Sequence, residues 1–136
     1  MDSDAMGETI MKTRYLALSL MLLIAAPAFA HHSFDAEYDS NKPITLTGFV
    51  TKLDWNNPHA FVSLDTKDAN GQTKSYKVEM GPPYALTRGG WTRDILKIGD
   101  KITITAAAAA KDGTNAAGSM PQTSMTLANG QKLVMR

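Results

Sequence analysis

Ile44-Thr45-Leu46-Thr47-Gly48-Phe49-Val50-Thr51-Lys52-Leu53 is the stretch that decides the fold class. It is rich in β-branched residues and alternates roughly every second position, the pattern of a half-buried strand. Gly48 stands in the middle, where a missing side chain marks a bulge or a sharp bend. A first strand that must bend is the hallmark of a small barrel in which one strand serves both halves of the sheet.

Working outward, Asn56-Asn57-Pro58 reads as a turn, followed by a second strand from Ala60 to Asp65. Asp68-Ala69-Asn70-Gly71 is a hairpin signal. A third strand comes next, Lys74 to Met80, with Tyr76, Val78 and Met80 on one face. Pro82-Pro83 opens a short helix through Arg88, and Gly89-Gly90 stops it. A turn at Leu96-Lys97-Ile98-Gly99-Asp100 leads into a fourth strand from Lys101 to about Ala107. The five alanines Ala106–Ala110 favour helix intrinsically, but the alternation runs into them, so their first half reads as strand. Lys111–Asn115 is a loop. Ser124–Leu127 and Lys132–Met135 form a last hairpin across Asn129-Gly130.

Three strands, a short helix and then two or three more strands is the element order of an OB-fold, a five- to six-stranded, partly open Greek-key barrel. The expected class is therefore all-β with one small helix, and a β-sandwich is the alternative. The domain is expected to span 44–136, preceded by an irregular arm, 31–43.

The N-terminus carries a different signal. Lys12 and Arg14 precede an uncharged apolar run from Leu16 to Ala26, Pro27 breaks it, and Ala28-Phe29-Ala30 offers small residues where signal peptidase reads them. The run is shorter than the roughly 20 residues a bilayer span needs. Residues 1–30 thus read as an N-terminal extension with a cleavable signal peptide, Met1 or Met11 being the start. Cleavage would expose His31, place the domain in the periplasm or outside the cell, and leave no transmembrane anchor. No Cys is present, which removes disulfides, thiolate metal sites and thiol nucleophiles together. Lys plus Arg number 14 and Asp plus Glu 13, too even a balance for a nucleic-acid partner.

No G-x-S-x-G elbow, phosphate-binding Gly loop or H-E-x-x-H occurs, so no residue is assigned as catalytic. Asp35, Glu37 and Asp39 alternate as a solvated arm does, without the defined turn of a hard-cation loop. The chain has three histidines: His31, His32 and His59. The first two would become the mature N-terminus, where a free α-amine and the first imidazole can chelate one metal ion. Imidazole suits copper, nickel and zinc, and Cu(II) binds such a site most tightly. His59 follows Pro58 in the loop between the first two strands, at the mouth where an OB barrel binds ligands. A site built from the amine, His31, His32 and His59 would resemble the histidine brace of some exported copper proteins.

The rival site is aromatic. Trp55 and Trp91 lie beside turns, and with Tyr84 of the short helix and Arg93 close by they could form a platform for a small ligand, glycan or envelope protein partner. Met80, Met120, Met125 and Met135 suggest thioether ligands for Cu(I), but methionine is more often a gap-filling core residue.

His31-His32-Ser33-Phe34, Lys42-Pro43, Leu46-Thr47-Gly48, Trp55 with Asn57-Pro58-His59, Gly90-Trp91-Thr92-Arg93, Leu96 with Gly99-Asp100 and Lys111-Asp112-Gly113 recur in that order. The series resembles family 6152 of the bacterial domains of unknown function, small exported proteins, over His31 to about Asn115. The resemblance implies export and a small β fold and carries no activity. It places His31, His32 and His59 inside family motifs. The expected function is that of an exported binding or accessory protein, binding copper through the mature N-terminal histidine and His59. The alternative is a metal-independent module that binds through Trp55, Tyr84, Trp91 and Arg93.

Overall fold

The computed structural model describes residues 33–136. The expected signal peptide, His31 and His32 lie outside the described residues. Contacts divide the chain into two units, Met1–Ala36 and Glu37–Arg136. The described part of the first, residues 33–36, is helical; the second unit holds the strands found among the described residues.

The bent first strand is real and longer than its alternation indicates. β1 runs Tyr38–Asp54. Its first part pairs antiparallel with β4 (Lys101–Ala110) and its last part with β2 (Phe61–Lys67), with Gly48 and Phe49 in both ladders. Residues 38–43, expected to be irregular, are strand because Tyr38, Asp39 and Pro43 pair with Ala110, Ala109 and Ala108. Gly48 is not itself the bulge. The register slips at Asp39/Pro43 and Ile44/Leu46 towards β4 and at Val50/Lys52 towards β2. What Gly48 provides is room: a Cβ there would overlap the backbone carbonyl of Asp65.

β2 and β3 (Thr73–Glu79) form an in-register hairpin, with Phe61 opposite Glu79. Asp68 organises its turn, Oδ1 accepting the Asn70 and Gln72 N–H groups. α1 (Pro83–Arg88) starts with proline in its first turn and buries Leu86. β5 (Ala116–Leu127) pairs with β4, with a short β6 (Lys132–Val134), and in parallel with the end of β3. The ring β1-β2-β3-β5-β4-β1 is closed by Lys77–Ala116, Val78–Ala117 and Glu79–Gly118. This is the OB-like barrel, and the closed ring answers the sandwich alternative. Among the described residues no helix is long and apolar enough to cross a membrane.

One contiguous core fills the barrel, including Val50, Val62, Leu64, Val78, Ile102, Ile104 and Met125, with Leu86 and Trp91 from the helix region. Burying each large side chain contributes about 1.5–3 kcal/mol.

The whole alanine run is strand, because pairing on both edges overrides helix preference. Ala107 and Ala108 are consecutive, so they face opposite sides, and neither is exposed. Ala106 has φ 60°, a left-handed conformation costing a Cβ-bearing residue about 1–2 kcal/mol. It marks a large bulge: Thr105 pairs with Ser124 but Ala107 with Ser119, so Met120–Thr123 lie opposite one residue. Thr123, fully buried, ties the bulge together. Its hydroxyl donates to the Ala106 carbonyl at 2.6 Å and accepts the Met120 N–H at 2.7 Å.

Two substitutions at small residues should therefore move stability in opposite senses. In urea unfolding, Gly48→Ala should cost about 3 kcal/mol or more, since backbone rather than a flexible side chain must shift. Ala106→Gly should be neutral or stabilising by up to about 1 kcal/mol, whereas Ala107→Gly destabilises. Thr123→Val, similar in shape, should cost about 2–4 kcal/mol because a partly buried carbonyl and a buried N–H lose their partner together.

Candidate functional site

The β1–β2 loop brings His59 to a defined place because its neighbour is clamped. Ala60 is fully buried; its N–H donates to the Gly81 carbonyl at 3.2 Å and its own carbonyl accepts the Met80 N–H at 2.8 Å. Pro58, cis-linked to Asn57, precedes His59. The imidazole, 46% exposed, directs Nδ1 to the Oε1 atom of Glu79, whose side chain is 16% exposed. Glu79 ends β3, held between Phe61 on β2 and Gly118 on β5.

The other carboxylate oxygen is also taken. Tyr38, the first residue of β1 and a buried one, donates its hydroxyl to Glu79 Oε2 at 2.9 Å. Burial above all, and then the hydrogen bond to and negative charge of Glu79, raise the Tyr38 phenol well above the ordinary tyrosine range. It therefore stays a donor. The carboxylate thus accepts from the phenol at one oxygen and meets the imidazole with the other.

Lys77 holds its ammonium 4.3 Å from the centroid of the Phe61 ring. Among the described residues no three or more His, Asp or Glu side chains cluster closely enough to hold a metal ion. The described domain thus offers one imidazole nitrogen with a carboxylate behind it.

The aromatic set does not assemble into one platform. Trp91 is 1% exposed and its indole N–H donates to the Val134 carbonyl at 2.7 Å, making it a core residue with no face for a ligand. Gly89-Gly90 suggests a loop tryptophan, but those glycines turn the chain so that the ring packs inward. Trp55 is half-buried against the core. Tyr84 is 65% exposed with the Arg88 guanidinium 5.8 Å from its ring centroid, and Arg93 is exposed. Met80, Met120, Met125 and Met135 are all buried, so the core reading holds for them.

Sequence pattern does not single out Glu79 or Tyr38. Glu79 is within its reach: counting back from the Asn70-Gly71 turn places it opposite Phe61, two residues from His59. Tyr38 is not, because only ring closure brings the start of β1 to the end of β3.

A family model, described as a family of unknown function (DUF6152), matches residues 19–119. The chain belongs to that family, and Tyr38, His59 and Glu79 fall within the matched stretch. No curated protein and no solved structure matches the chain.

Tyr38 makes the fold sensitive to alkali. A phenol whose pKa is raised by folding contributes stability that is complete below the unfolded value, about 10, and lost as pH rises beyond it. Tyr38→Phe should lower stability at neutral pH by about 1–2 kcal/mol. Urea unfolding across alkaline pH should then show the gap between the two proteins narrowing above pH ~10.

Proposed function

We propose that this member of the DUF6152 family is an exported periplasmic accessory protein that binds copper through nitrogen ligands: the mature N-terminal amine with the imidazoles of His31, His32 and His59. One observation carries the reading. A single carboxylate, Glu79, grips both His59 and Tyr38, the residue from which the N-terminal arm departs.

That shortens the tether. The irregular arm expected from the sequence runs thirteen residues, from His31 to Pro43, and such a length reaches almost anywhere on a small domain. With Tyr38 fixed at the carboxylate that also holds His59, seven residues separate the root of the arm from His31, about 23 Å at full extension. The chain therefore leaves the barrel beside the one imidazole the barrel offers.

The donor chemistry agrees. Imidazole and amine nitrogens favour Cu(II) over zinc and nickel in a mixed pool. With no Cys in the chain and the four methionines of the described residues buried, soft sulfur ligands that favour Cu(I) are not offered there. Copper held by nitrogen ligands and open to solvent suits capture or relay of the ion. No group in the described domain points to a particular reaction.

The test is a Cu(II) titration, by calorimetry and electron paramagnetic resonance, on exported protein whose N-terminus at His31 is verified by mass spectrometry. One-to-one binding with a nitrogen hyperfine pattern is expected. His59→Ala, and a form with Gly-Ser added before His31, should each weaken it by about tenfold or more. Affinity no better than that of a free His-His peptide and indifferent to His59→Ala would overturn the reading, leaving a metal-independent role for the exposed Tyr84, Arg88 and Arg93.

A further inference from the structure

We infer that Glu79 and Tyr38 are positioning residues that fix His59 as the tautomer protonated on Nδ1, so that Nε2 is the one ring nitrogen offered to a metal ion and Glu79 is itself withheld from the ligand set. The inference rests on the copper reading only for the identity of the ion.

The geometry supplies the reason. Which imidazole nitrogen carries the proton is decided by the hydrogen bond the other groups impose. Here Nδ1 faces an oxygen of a carboxylate, which can only accept. Glu79 does not swing freely. Its backbone is paired on both sides, to Phe61 on β2 and to Gly118 on β5. Its second oxygen is held by the buried Tyr38 hydroxyl at 2.9 Å. Both oxygens being engaged, the carboxylate stands behind the imidazole.

This arrangement selects for donor type. A free Glu79 beside His59 would add a hard oxygen ligand, and mixed nitrogen–oxygen sets accept zinc and manganese more readily. With Glu79 turned away, the barrel contributes nitrogen alone. Outer partners of this kind commonly account for about 10–100-fold in metal affinity.

Two measurements on the exported protein separate this inference from the copper reading. The first uses the metal-free protein: long-range ¹H–¹⁵N correlation spectra of the neutral His59 ring report its tautomer directly. The wild type should show a protonated Nδ1 and an unprotonated Nε2. Glu79→Ala should lose that signature. Tyr38→Phe, which keeps the ring and its packing, should weaken it to a mixture. The second is Cu(II) titration of the same variants. Glu79→Ala should bind about 10–100-fold more weakly, and Tyr38→Phe should shift the hyperfine pattern from nitrogen-only towards mixed nitrogen and oxygen donors.

Should Glu79→Ala not fold, Tyr38→Phe carries the test alone. A wild-type ring protonated on Nε2, or a folded Tyr38→Phe protein with unchanged tautomer and unchanged hyperfine pattern, overturns the inference. If the tautomer behaves as expected but wild-type protein binds no copper, the copper reading falls while the fixing of the His59 ring stands.

Discussion

Three backbone pairs, Lys77 with Ala116, Val78 with Ala117 and Glu79 with Gly118, join the end of β3 to the start of β5 and close the sheet on itself. Parallel pairing is slightly weaker per residue than antiparallel pairing, and this seam is only three residues long. It holds because the rest of the barrel is bent to meet it. β1 passes from one ladder to the other at Gly48, where the Asp65 backbone comes too close for any side chain. β4 and β5 turn together at Ala106 and Met120–Thr123, with the Thr123 hydroxyl bonded to both sides of the bulge. Relaxing either bend would move the start of β5 relative to β3. The candidate site depends on that register, since Glu79 is in the seam and Tyr38 reaches it only around the closed ring.

Much of this barrel is legible in the sequence because its signals are local. Asn70-Gly71 and Asn129-Gly130 mark hairpins, Pro82-Pro83 and Gly89-Gly90 bracket the helix, and the alternation in 44–53 and 101–105 is that of strands with one buried face. Where pairing partners rather than local pattern decide, the sequence is silent. Asp39-Ser40-Asn41-Lys42-Pro43 has turn-forming composition yet lies in β1, because the alanines of β4 are there to pair with it. Ala116–Met120 has no β-branched residue and is followed by a proline, yet it is strand because it completes the ring. Small residues there are a consequence of closure, not a signal of strand.

The candidate site divides in the same way. His59 stands out as one of three histidines and as the residue after a loop proline. Tyr84, on the short helix, and Arg93, in a turn, are exposed, but Trp91, expected beside a turn, is in the core. A tryptophan next to Gly90 reads as a surface residue until β6 is in place to accept its N–H. The acid that serves His59 comes from a strand end and the phenol that serves the acid from another strand, a relation no local pattern encodes.

A half-buried carboxylate costs desolvation, and its partners must offset that cost. Replacing Glu79, Tyr38 and His59 together by apolar residues of similar volume would give a barrel at least as stable by this logic, so stability alone does not account for the group. What an apolar replacement could not do is hold a half-exposed imidazole by its Nδ1 atom. Other polar pairs of the β2–β3 hairpin, such as Ser75 with Asp65, link only the two strands they sit on. At Glu79 a second strand, through Tyr38, and a loop, through His59, are drawn to one carboxylate. Under the copper reading proposed above, this is the group that would hold the His59 ring in place.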